Sequence, residues 1–148
     1  MSDKTESANL ILKLYELRRE EVMRQARNWF TMEFHPGSVQ DIQAAAMGER
    51  SPYFRMVTTY WDMACSFVLH GAIDVQMFND ANGEHLAVYS KIEPFIQEIR
   101  QVSGMPNYMQ NLERVVMNMP DARERMTRFR EMLKQAAQAR SEAKGQSG

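Results

Sequence analysis

The sequence predicts an all-α protein: a single-domain bundle of about five or six helices around a central apolar helix near residues 52–70. Three observations carry this expectation. Apolar residues recur at i, i+3 and i+4 spacing through most of the chain, whereas strict alternation never persists beyond a few positions. The 7 glycines and 5 prolines stand mostly between these periodic segments, where helices must start and stop. Finally, the run RMVTTYWDMACSFVLH, residues 55–70, is apolar around most of a helical cylinder, the mark of a helix enclosed by others.

The first helix is expected from Ser7 to Phe34, stopping at His35-Pro36-Gly37. Ile11, Tyr15, Val22, Ala26, Trp29 and Phe30 share its long core-facing side. Leu10, Leu14 and Leu17 form a second row pointing the other way, with the spacing of a helix-to-helix seam. That row predicts a homo-oligomer, a dimer in which the leucines are buried symmetrically. The alternative is a cover supplied by the last helix of the same chain.

Ser38 can cap a short second helix, with Asp41 at its third position and Gly48 at its end. Ser51 followed by Pro52 marks the start of the central helix, and Gly71 supplies the left-handed residue that ends it. Asp74 caps a brief helix through Phe78, and Asn79 to Gly83 reads as a turn. The next helix covers roughly Glu84 to Val102, bent at Pro94 and closed by Ser103-Gly104. Pro106 opens another that ends before Pro120, and Asp121 starts the last, with a core row of Ala122, Met126, Phe129 and Leu133. The domain therefore spans residues 1–140, and the small polar residues 141–148 are expected as a disordered tail.

Composition excludes several classes of function. The net charge of −1 offers no basic face for nucleic acid, and the arginines of the last helix are interleaved with acids. No apolar run approaches the roughly 18 residues that span a bilayer, so no membrane insertion is expected. The start, MSDKTESANL, lacks the basic and small-residue features of a signal peptide. The lone Cys65 permits no internal disulfide and suits a reducing compartment, so the expected location is the cytoplasm. The 13 methionines fall largely on apolar helical faces, as filling for an irregular core.

At about 100° per residue, Arg55, Thr59, Asp62, Ser66 and His70 fall in one narrow sector of the central helix. Asp62, Ser66 and His70 are one turn apart, yet a catalytic triad places the imidazole between carboxylate and hydroxyl. Here the serine stands in the middle of a rigid rod. The stripe is expected either as a solvated or hydrogen-bonded strip, or as the wall of a polar pocket. His85, on the face of Val88, Tyr89, Ile92, Ile96 and Ile99, is expected to be at least partly buried, a satisfied core group or a pH-sensitive contact. Trp61 and Phe67 are expected to be nearly inaccessible. His35, His70 and His85 are far apart in sequence and no CxxC, HxxxH or ExxH spacing occurs, so no metal or other cofactor is expected.

The segments YFRMVTTYWDMACSFVLHGAIDVQMF and VYSKIEPFIQEIR, over about residues 53–100, resemble an uncharacterised bacterial family, a domain of unknown function. The features that match are the aromatic-rich helix ending at Gly71-Ala72-Ile73-Asp74, the short helix after it, and Pro94-Phe95-Ile96. Asp62 matches an acidic residue that often follows the aromatics in that family, whose members frequently carry an upstream membrane segment with no counterpart here. The resemblance implies an all-helical fold and carries no activity with it. The functional expectation is a non-catalytic helical interaction or scaffold module that self-associates or takes another protein as partner. A small-ligand or sensory domain with a pocket beside residues 52–70 is the alternative, and an enzyme is the less favoured third class.

Overall fold

The structure, a computed structural model, describes residues 3–146. Every regular element among them is helical: α1 (Lys4–Arg18), α2 (Glu21–Met32), α3 (Val39–Met47), α4 (Ser51–Leu69), α5 (Val75–Ala81), α6 (Glu84–Ile92), α7 (Ile96–Ser103), α8 (Gln110–Met117) and α9 (Ala122–Gln146). A 3-10 turn, Glu93–Phe95, joins α6 to α7. The all-helical class is as expected, but five or six helices was too few. Two long segments are each broken in two, and both breaks have a local cause.

The first break divides the expected helix 7–34 at Arg19 and Glu20. Glu20 turns extended and uses its own carboxylate as the cap of α2, accepting from the backbone N–H of Val22 and of Met23, each at 3.0 Å. Those two bonds hold the Glu20 carboxyl below its usual pKa. The break also re-aims the chain. On α1 only Ser7 and Leu14 are buried, whereas α2 buries Met23, Ala26, Trp29 and Phe30. Tyr15 and Val22, expected in the core, are 46% and 45% exposed. The leucine row is also corrected: Leu14 is 6% exposed and belongs to the core, while Leu10 and Leu17 remain outside at 38% and 47%. The second break lies at Pro94, where the missing N–H and the fixed φ convert an expected bend into the 3-10 turn.

Several punctuation marks operate as the residues suggest. Ser38 Oγ accepts from the Asp41 N–H at 3.2 Å, while Asp41 reaches back to the Gly37 N–H at 2.8 Å. Asp74 caps α5 through the Met77 N–H at 2.9 Å. Gly71, at φ 81, ends α4 with bonds from the Ala72 N–H to the Phe67 carbonyl and from its own N–H to the Val68 carbonyl. Gly48 is required for a different reason, since a Cβ there would stand 2.5 Å from the Ala44 carbonyl oxygen. α8 starts only at Gln110, after a turn that Pro106 was expected to make helical. α9 is helical to Gln146, into the stretch expected as a disordered tail; its residues beyond Ala137 are exposed, and residues 147–148 lie outside the described residues.

α4 is the central helix. It packs chiefly against α2 and α8, and also against α3, α5 and α6. Trp61 is 1% exposed at its middle, but Phe67, expected to be just as inaccessible, is 38% exposed. The reason is angular: Met63 at 40% exposed and Phe67 share a sector of α4 that no other helix fully covers. Where α2 crosses the start of α4, Trp29 stacks on Phe34 at 5.1 Å, and Phe34 meets Phe54 edge-on at 5.8 Å. α6 lies beneath, buried at every residue from His85 to Ile92, and α9 covers its far side with Ala122 and Met126.

Candidate functional site

The polar stripe of α4 divides according to what each side chain finds. The hydroxyls turn back on their own helix: Thr58 Oγ1 donates to the Phe54 carbonyl at 2.9 Å, Thr59 Oγ1 to Arg55 at 2.5 Å, and Ser66 Oγ to Met63 at 2.6 Å. Such back-bonding satisfies a hydroxyl within a helix. Asp62 looks outward instead. α8 begins after Met109, a left-handed residue at φ 58 with no side-chain cap of its own. The Asp62 carboxylate fills that position, accepting from the Leu112 N–H at 2.9 Å and from Asn111 Nδ2 at 3.2 Å. A negative charge at a helix N-terminus is favoured by both the free N–H groups and the macrodipole.

Thr59, Asp62 and Ser66 thus line an open groove of about 360 Å³ between α4 and the start of α8, with Tyr108 and Asn111 on its other bank. His70 is not part of it. It stands exposed at the C-terminal end of α4, beside a separate hollow bordered by Glu6, Leu10 and Gly71. Arg55 is exposed and lines neither space. A serine is activated by a base within hydrogen-bond reach. Among the described residues, the Ser66 hydroxyl has the Met63 backbone carbonyl as its hydrogen-bond partner.

His85 belongs to the core. It is fully buried, with its ring centroid 4.9 Å from Phe78 and 5.7 Å from Trp61. Its Nε2 lies 2.9 Å from Asn79 Oδ1, which assigns the proton to Nε2 and the lone pair to Nδ1. Among the described residues that Nδ1 is the one buried side-chain nitrogen or oxygen without a partner. Burial first, and then the charges of Arg125 and Arg18, push the imidazole pKa down to about 4. The ring is a neutral core group at pH 7. Cys65, buried on α4, has its thiol pKa pushed upward by burial and then by Asp62, which keeps it a thiol.

Sequence reasoning missed the strongest buried charge. Lys91 is 3% exposed, and its ammonium donates to the carbonyls of Phe30 at 2.6 Å, Thr31 at 3.0 Å and Phe34 at 2.6 Å. It closes the C-terminal end of α2, where orphan carbonyls and the negative end of the macrodipole favour a cation. Burial alone lowers its pKa to about 7. One signal was present: Lys91 is the single charge in His85–Ile92, a run with no room for a solvated face. A second pair left no local trace. Arg27 grips Glu84 through Nε and Nη2, the latter at 2.6 Å from Oε2, while Trp61 Nε1 donates to Glu84 Oε1 at 3.3 Å. These partners come from three helices.

Among the described residues, no group of three or more His, Cys, Asp or Glu side chains is placed to hold a metal. No helix among them is long and apolar enough to cross a membrane. Compared with known families, residues 5–119 match the domain of unknown function DUF4760. The chain belongs to that family. The match takes in α4 and its polar stripe, the Gly71–Asp74 turn and Pro94-Phe95-Ile96, and ends before α9 begins at Ala122. No curated protein and no solved structure matches the chain.

Proposed function

We propose that the domain is a non-catalytic helical interaction module that pairs with a second copy of itself through the side of α1 that carries Leu10 and Leu17. The observation that carries this reading is that Leu10 and Leu17, two turns apart on one side of α1, are 38% and 47% exposed, while Leu12 at 59% and Tyr15 at 46% are exposed elsewhere on the same helix. Soluble surfaces seldom gather so many large apolar side chains on one short helix. The helix is held from one side, by Leu14 in the core, by the bond from Tyr60 to the Leu14 carbonyl, and by Ser7 Oγ, which accepts from the Asp74 N–H at 2.9 Å. The buried thiol of Cys65 fits a reducing cytoplasm as the setting.

Sedimentation of the wild type beside a Leu10→Gln, Leu12→Gln, Leu17→Gln triple variant tests this, with Leu14 left intact because it is core. The expected result is a wild-type dimer and a folded, monomeric variant. A wild type that stays monomeric at high micromolar concentration overturns it.

A second reading is favoured by the groove beside α4, where Asp62, Thr59 and Ser66 face Tyr108 and Asn111 across about 360 Å³. That volume suits a small polar ligand. The groove ranks second because its hydroxyls and carboxylate already have partners within the protein.

A further inference from the structure

A different space, sharing no lining residue with the groove or with α1, has the makings of a ligand site. It lies between the α2–α3 turn, the 3-10 turn and α9, with a volume of about 240 Å³. Pro36, Pro94 and Phe95 form its apolar walls. Its remaining side chains are His35, Lys91, Arg130 and Lys134, with no acid among them. Arg130 and Lys134 supply the positive potential of this hollow, since burial lowers the pKa of His35 and brings that of Lys91 down to about 7.

The bases are not equivalent. Lys91 is turned toward the carbonyls that end α2 and its pKa is brought down to about 7 by burial, so it offers the hollow no free donor. Arg130 is anchored by Nη1 on the Ser90 carbonyl at 2.5 Å and by Nη2 on Thr127 Oγ1 at 3.3 Å, two of the five N–H groups of a guanidinium. Lys134, one turn further along α9, is exposed at the rim. The countercharge of Arg130 is Glu93, 3.9 Å away and held more closely by Arg123 at 3.0 Å. Burial and then the charges of Lys91 and Lys134 lower the His35 pKa, so both ammoniums act on the same space.

The geometry points to a binding site for a small organic carboxylate with an apolar body, its charge set between Arg130 and Lys134 and its body against Pro36, Pro94 and Phe95. The apolar walls distinguish this ligand class from bare phosphate, which would leave them wet. The basic rim distinguishes it from a neutral apolar molecule. Both ligand-binding arginine and lysine come from α9, outside the segment that matches the family, so the site is completed by the last helix.

Titration of the full chain followed by amide NMR shifts tests the site, with benzoate as probe and benzamide and inorganic phosphate as controls. Benzoate is expected to move the amides of residues 35–37 and 93–96 saturably, in the low-millimolar range or tighter. Benzamide and phosphate are each expected to bind at least several-fold more weakly. Lys134→Gln, an exposed change that leaves the core alone, should weaken benzoate about 2–5-fold, the worth of one screened charge contact. His35→Gln on top of it should not restore binding. Absence of saturable benzoate shifts in these segments overturns the proposal. So does benzamide or phosphate binding as tightly as benzoate, or an unchanged benzoate affinity in the Lys134→Gln variant.

Discussion

The carboxylate of Asp62 on α4 accepts the backbone N–H of Leu112 at 2.9 Å, across fifty positions of sequence, and so starts a helix that has no cap of its own. The central helix thereby determines where α8 begins. The groove beside the stripe borders that same contact, with Asp62 on one bank and Asn111 on the other.

Asp62→Ala should therefore destabilise the fold by about 1–3 kcal/mol, the range for a lost helix cap whose acceptor is charged. Asp62→Asn should recover part of that, since an amide oxygen can still accept from Leu112. Denaturant unfolding of the three proteins decides it. A loss under about 0.5 kcal/mol for the alanine variant would show that water replaces the cap.

Trp61 and Phe67 should part company when each is truncated. Trp61, enclosed by Tyr60, Phe78 and His85, should cost about 3–5 kcal/mol on change to alanine. Phe67, 38% exposed, should cost about half that or less. Equal losses at the two sites would mean that Phe67 is covered in solution, and would point to a partner on the open sector of α4.

Stability should fall in mild acid because of His85. Its folded pKa is about 4, against 6.5 for an ordinary histidine, so between these values the unfolded chain binds a proton that the folded one refuses. Its contribution is fully present above pH 6.5 and is lost as pH falls toward 4, by up to about 3 kcal/mol for a shift of this size. Comparison of unfolding free energies for wild type and His85→Gln from pH 7 to 4 tests the sign. The variant's profile should be the flatter one. Parallel profiles would assign the acid sensitivity to other groups.

Much of the fold was legible because its signals are local. Ser38, Asp74 and Gly71 act on backbone groups a few residues away, and a capping side chain is recognisable wherever its own helix begins. The central position of α4 was legible for a related reason, since apolar residues around most of a cylinder imply neighbours on most sides. The break at Glu20 was not, because glutamate is an ordinary helix residue and becomes a cap only when its ψ turns extended. Phe67 was misplaced because helical angle tells which residues share a side, not which side a neighbour occupies.

By itself the sequence determined the helical class, the central place of the helix near residues 52–70, the caps at Ser38 and Asp74, the stop at Gly71, and a balanced net charge. The site residues are another matter. Only the tertiary structure decided that Asp62 serves α8, that Leu14 leaves its row for the core, that His70 and Ser66 border different spaces, and that Lys91 holds the end of α2. The physical reason is the same in each case. A side chain's role depends on which backbone groups and charges lie within about 3 Å of its tip. For these residues the partners come from helices that only packing brings together.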